Sequence, residues 1–164
     1  ERLFPHMHNH EEIAKNNQIL IQGLKKLEVP LLLTQQYTKG LGDTIDQIKS
    51  AVGEFEHIEK IAFSCCDEPK FSGQLELMNK KFIIISGIEA HVCVLQTVID
   101  LIEINYIPVV VANCLFSRNE IDKNTAIDRM QSEGAIITTY ESILFEMTRF
   151  SGTDIFKAIS KLVK

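Results

Sequence analysis

Ile107-Pro108-Val109-Val110-Val111-Ala112 is an unbroken apolar run, rich in β-branched residues, with no room for a polar face. A strand of that kind has to be buried on both sides, as strands in parallel sheets covered by helices are. The chain repeats the arrangement. Leu31–Thr34, Lys60–Ser64, Phe82–Ser86 and Ala135–Thr139 are further short runs of strand character. Between them lie stretches with apolar residues at helical spacing. These are Ile13/Leu20/Leu24/Leu27, Ile45/Ile48/Val52, Phe71/Leu75/Met78, Val94/Val98/Leu101, Ala126/Met130 and Ile143/Leu144/Met147. Strand and helix alternate to the end, which predicts a three-layer α/β/α fold with a mostly parallel open sheet of Rossmann-type topology. The punctuation agrees. Asn9-His10-Glu11-Glu12 reads as a capping box, Pro30 ends the first helix, Gly87 breaks a strand, and Gly134 suits a helix C′ position. One irregularity remains: the pattern opens on a helix, where such folds open on a strand.

At 164 residues, with no internal repeat, low-complexity tract or linker, the chain reads as a single domain over 1–164. Seventeen basic against 22 acidic residues give a net charge of −5, which argues against nucleic acid as the main partner. The longest apolar runs are too short to span a bilayer, so no membrane partner is expected. Cys65, Cys66, Cys93 and Cys114 show neither a disulfide framework nor finger spacing, which suits reduced thiols in the cytoplasm.

All four cysteines are predicted to follow a strand and so to approach the carboxyl rim of the sheet, where ligands of open α/β sheets bind. Cys93 is the best placed. The first turn of a helix from about Ala90 to Asn105 would stabilise its thiolate, lower its pKa, and offer free N–H groups to an oxyanion. Other constellations are weaker. His6, His8 and His10 alternate, but a loop running into a helix start would scatter them, so no metal site is expected. Gly40-Leu41-Gly42 lacks the third glycine of a dinucleotide fingerprint and reads as a loop near a pocket containing Gln36 and Tyr37. Cys65-Cys66 reads as pocket lining, and Arg118 as an ion-pair residue.

The segment Ser86-Gly87-Ile88-Glu89-Ala90-His91-Val92-Cys93-Val94-Leu95-Gln96-Thr97 closely resembles the nucleophile motif of isochorismatase-like cysteine hydrolases. Phe4-Pro5, Gln36–Gly42, Glu59-Lys60, Phe63–Cys66, Ser117-Arg118-Asn119 and Ile137–Thr139 with Glu141-Ser142 resemble the isochorismatase domain-containing branch of that superfamily. The likeness starts at Glu1 and continues into Phe156–Lys161. It implies a catalytic cysteine at Cys93 and a catalytic lysine at Lys60. It also implies a cis peptide at Ile88–Glu89 and an oxyanion hole from the N–H groups of Glu89 and Cys93. Gln36, Tyr37, Phe63 and His91 would then line the substrate pocket. The third catalytic group of the family, an aspartate in an Asp-x-Gln motif ending the first strand, would precede Glu1, and so would that strand. Asp43, Asp67, Glu89 and His91 are nearby substitutes that no spacing distinguishes. The reading is a hydrolase that cleaves an amide-like C–N bond of a small molecule through a Cys93 thioester. It needs no metal or other cofactor and works as a homo-oligomer. The alternative is a catalytically vestigial interaction or scaffold protein on the same fold, and a redox sensor using Cys65, Cys66 and Cys93 is a further one.

Overall fold

The structure, a computed structural model, describes residues 2–54 and 56–164; Glu1, where the resemblance begins, lies outside them. A short 3-10 turn at Phe4–His6 leads into α1 (His10–Lys26), β1 (Thr34–Gln36), α2 (Thr38–Leu41) and α3 (Asp46–Val52). β2 (Ile58–Lys60), α4 (Pro69–Met78) and β3 (Phe82–Ile88) follow. A wide turn at Ala90–Val94 then opens α5 (Leu95–Glu103), and β4 (Ile107–Phe116), α6 (Glu120–Ser132), β5 (Ile136–Thr138), α7 (Tyr140–Thr148) and α8 (Asp154–Leu162) complete the chain.

Every strand pairing is parallel: β1 with β2, and β3, β4 and β5 in that order. Period-two alternation in β4 sets the layers. Val109 and Val111 pack with Leu20 and Leu24 of α1, Ile143 and Leu144 of α7 and Ile159 of α8. Val110 points the other way, against Val98 of α5 and Ala126 and Met130 of α6. A third cluster, Ile58, Phe71, Leu75 and Leu101, seats α4 beside β2 and α5. The core is therefore helix–sheet–helix, the α/β/α architecture that continuous apolar strands require.

The sheet is in two pieces, and the space between them is the main feature of the molecule. The strand edges of β1 and β3 that make no ladder pairs line one cleft of about 1190 Å³. Its walls are consecutive backbone, 29–36 on one side and 80–89 on the other, with Leu20 and Leu24 below and Thr97 and Leu101 above. Its carboxyl-end mouth is occupied by Gln36, Lys60, Phe63 and Cys93. Arg2 sits at the same end, its backbone N–H donating to Leu41 O (3.0 Å) and its guanidinium to Gly40 O (3.0 Å).

Several elements differ from the reading of the sequence. Asn9 forms no capping box: it adopts a left-handed conformation (φ 53°) and its side chain makes no cap bond. Leu31–Leu33 are extended but unladdered, because pairing with β2 begins only at Thr34 opposite Ile58. The second strand lies earlier, at Ile58–Lys60, because the chain after Lys60 folds back around that side chain's ammonium. Gly87 does not end β3. It pairs with Leu115 after an irregularity in register and takes φ 128°, a conformation open to glycine. β4 runs four residues past Ala112. Two buried asparagines of α1 support the irregular stretch, Asn16 donating to Asn113 O (2.8 Å) and Asn17 to Cys114 O (3.0 Å). Cys114 is consequently a fully buried residue within β4, away from the rim, and burial pushes its thiol up to about 12. Gly40-Leu41-Gly42 closes the short helix α2, with Tyr37 lying on Gly40, where a Cβ would be 2.2 Å from its ring.

Candidate functional site

β3 delivers the chain to a turn that is wider than an α-helix. Val94 N–H bonds the Glu89 carbonyl five residues back (3.2 Å), and only from Leu95 does regular helix α5 begin. Wide i→i+5 turns of this type recur at functional sites because they re-aim one side chain. Here that side chain is Cys93, which points into the cleft mouth. The Ile88–Glu89 peptide before the turn is cis. The Glu89 backbone N–H is directed at the Cys93 sulfur, and Sγ stands 3.9 Å from Gln36 Oε1.

Lys60, at the end of β2, is 4% exposed. Its ammonium donates to Ala62 O (3.0 Å), Phe63 O (2.8 Å) and Gln36 Oε1. All three acceptors are neutral, so a buried cation sits at the cleft mouth without a carboxylate among the ion pairs of the described residues. Burial raises the Cys93 thiol pKa above its ordinary 9.0, against the lowering pull of Lys60 and the Glu89 N–H. The sequence reading expected a lowered value from the helix terminus and the neighbouring ammonium; desolvation outweighs those effects here. Burial thus favours the protonated thiol, while the nearby cation favours its ionised form.

Side chains from α5 and from the segment just after β4 brace the turn. Glu89, 8% exposed, accepts from Arg118 Nε (2.9 Å), and His91 Nδ1 lies 2.9 Å from Ser117 Oγ. Thr97 Oγ1 donates to the Cys93 carbonyl (2.7 Å) and accepts from the Cys65 N–H (2.9 Å). Of the residues singled out from sequence, Cys93, Lys60, Gln36, Phe63, Ile88, Glu89, Cys65 and Asp43 line the cleft. Tyr37 and His91 are not among its lining residues, being turned to Gly40 and to Ser117. Cys66 packs beside α4 and is pushed up to about 11 by burial. Asp43 also lines the cleft, where it pairs with Lys49. His10 turns to Met7 O (3.2 Å) and the Phe4 ring, and no cluster of metal-ligating side chains occurs among the described residues. The sequence reading gave Thr97 no role and did not foresee that Gln36 would bond Lys60. Both are ordinary polar residues by type, and only the crossing of β1, β2 and α5 brings them to the thiol.

Residues 1–142 match the model of a family described as Isochorismatase domain. "Isochorismatase family protein 1B" of Dictyostelium discoideum is 33% identical over 164 residues, spanning 97% of this chain and 79% of its own. Among solved structures, one described as the MAR1 ribonuclease from Caenorhabditis elegans superposes with TM-score 0.92 at 35% identity, over 99% of this chain and 84% of that one. The YcaC gene product of Escherichia coli, described as an octameric hydrolase of unknown specificity, superposes with TM-score 0.86 at 25% identity, covering 93% and 75%.

Proposed function

Because this chain belongs to the isochorismatase family, we propose that it is a hydrolase using Cys93 as nucleophile on an amide-like C–N bond of a small molecule. The observation that carries the reading is the buried Lys60 ammonium facing the only cysteine aimed into the cleft mouth among the described residues that also receives a backbone N–H. The thiol gives its proton to a base, and the thiolate forms a C–S bond to the carbonyl carbon as the carbonyl oxygen takes up charge. The N–H groups of Glu89 and Cys93 hold that oxyanion. The tetrahedral species expels the amine, which takes the proton from the base, and leaves a thioester; water then attacks the thioester and returns the free thiol. Lys60 favours the ionised forms of both thiol and base.

The cleft leaves room for a strand that would carry this base. A further parallel strand between β1 and β3 would join the two sheet pieces and pair both of their unladdered edges. Running parallel to its neighbours and leading into Arg2, it would end beside Lys60 and Cys93, where a carboxylate would meet the buried ammonium. That strand and its acid are part of the proposal. So is assembly into a homo-oligomer, which exposed Ile61, Phe63, Leu77 and Phe150 would favour. No described helix is long and apolar enough to cross a membrane, and the four cysteines are free, which suits a reducing compartment.

The test is trapping with an aldehyde analogue of an aromatic amide, such as pyridine-3-carboxaldehyde. The natural protein and a Cys93→Ala variant are compared by protection of Cys93 from alkylation and by ammonia release from a panel of primary amides. Protection of Cys93 in the natural protein, with turnover that vanishes in the variant, supports the reading. Absence of both in the natural protein points to the vestigial alternative. The worm relative's description brings a second reading, ribonuclease activity, although the net charge of −5 speaks against it. Cleavage of short RNA that depends on Cys93, with no amide turnover, would replace the first reading by that one.

A further inference from the structure

Lys60 and Cys93 come from different elements, β2 and the turn before α5, and the segment 60–66 that wraps the lysine is joined to the cysteine's turn by one buried side chain. Ala62 and Phe63 carbonyls hold the ammonium, Ser64 is 2% exposed and accepts from Cys66 N–H (3.2 Å), and the next amide, that of Cys65, donates to Thr97 Oγ1 (2.9 Å). The same hydroxyl donates a hydrogen bond to the carbonyl of Cys93 itself (2.7 Å). Thr97 is 5% exposed, so its hydroxyl is shielded from bulk water. A threonine on the first turns of a helix commonly back-bonds to the carbonyl four residues earlier. The second bond, to a loop 32 residues away in sequence, is not explained by helix formation.

We propose that Thr97 is the positioning residue of the site: its hydroxyl fastens the Lys60 loop to the Cys93 turn and so sets how strongly the ammonium acts on the thiol. A hydroxyl is required because the link needs an acceptor for the Cys65 amide and a donor for the Cys93 carbonyl in one small buried group, and valine, of the same shape, has neither. The inference rests on the reading of Cys93 as the nucleophile with Lys60 beside it.

The experiment is peptide-resolved iodoacetamide alkylation of Cys93 across pH 6–11 in the full chain. It compares wild type with Thr97→Val, Thr97→Ser, Lys60→Met and the double variant Lys60→Met/Thr97→Val. Thr97→Val is expected to slow alkylation at neutral pH by about tenfold and move the pH profile upward, while Thr97→Ser stays within about twofold of wild type. In the Lys60→Met background the valine is expected to add less than about a further twofold, because the interaction it transmits is already gone. An unchanged profile in Thr97→Val, or the same loss with and without Lys60, overturns the proposal. Should Thr97→Val fail to fold, hydrogen exchange at the Cys65 amide of the natural chain decides: strong protection supports the link, and exchange at the rate of an open loop refutes it. If Lys60→Met leaves the profile where it was, the reading of the Lys60–Cys93 pair fails instead, and the two failures are distinguished.

Discussion

Removing Arg118 is the sharpest perturbation of the brace around the candidate nucleophile. Its Nε lies 2.9 Å from Glu89 Oε1, and the two ends of the pair differ: the Glu89 side chain is 10% exposed and that of Arg118 55%. A fully exposed pair contributes about 0–1 kcal/mol, whereas breaking a fully buried one costs about 3–5 kcal/mol through the charge left behind. Arg118→Met leaves a carboxylate that is nearly buried but can gain water from the side the guanidinium occupied. The expected loss is therefore intermediate, about 1–3 kcal/mol. Glu89→Gln in the same background should restore much of it, because the orphaned charge is gone and the amide can still bond. Urea denaturation of the four members of this cycle at pH 7.5, with m held constant, gives the coupling energy directly. Since Glu89 also supplies the N–H aimed at the Cys93 sulfur, Arg118→Met should slow Cys93 alkylation under conditions where the protein remains folded. A variant as stable as wild type, or losses in the single variants that simply add, would refute the argument that the carboxylate depends on this arginine.

Three other outcomes follow from the same structure. Lys60→Met removes the cation that draws the Cys93 thiol down, so the pH profile of its alkylation should move to higher pH, measured by peptide-resolved mass spectrometry; no movement would sever the pair. The buried Cys114 thiol, raised from its ordinary 9.0 to about 12, keeps its proton in the folded state while the unfolded chain loses it. Its contribution is thus complete below pH 9 and lost at about 1.4 kcal/mol per pH unit as pH rises towards 12, and Cys114→Ala should lose about 2 kcal/mol less than wild type between pH 9 and 10.5 in urea titrations. Gly23→Ala would gain about 1 kcal/mol in an open helix, but its Cβ would stand 2.5 and 2.6 Å from the Leu144 methyls. Overpacking of about 1–3 kcal/mol should cancel or reverse the gain, and adding Leu144→Ala should yield a double variant more stable than the summed singles by about 1 kcal/mol or more.

The layers were legible because β4 is apolar on both faces. Val109 and Val111 going to one helical layer and Val110 to the other is what an unbroken run such as Ile107–Ala112 requires, and the strand–helix alternation then follows. Strand ends were less legible, for a physical reason in each case. Lys60–Ser64 has the composition of a strand, but a buried ammonium needs acceptors, and the chain curls to present Ala62 O and Phe63 O. Ala112 looked like the end of β4, yet Asn16 and Asn17, which by type belong on a helix surface, point inward and carry the strand on to Phe116. Cys93 and Lys60 stood out through the resemblance, whereas Thr97, Gln36 and the Arg118–Glu89 geometry depend on distances between β1, β2, β4 and α5 that no local pattern records.

The placement of the thiol also explains why the site needs more than a cysteine at a helix terminus. The N–H of Glu89 and the Lys60 ammonium both act to lower the Cys93 pKa, but burial of the thiol raises it by more than they lower it. An open site would ionise the thiol more readily but would weaken every other electrostatic interaction there. A closed one keeps those interactions strong and leaves the proton to be removed by a base. On the proposed mechanism, Lys60, with three neutral oxygens around it and no carboxylate in its reach among the ion pairs of the described residues, is the cation that would hold such a base. The unladdered edges of β1 and β3 run to that same point. On the proposed mechanism, one occupant of the cleft, a strand with an acid at its carboxyl end, would satisfy the two edges, the buried charge and the Cys93 thiol together.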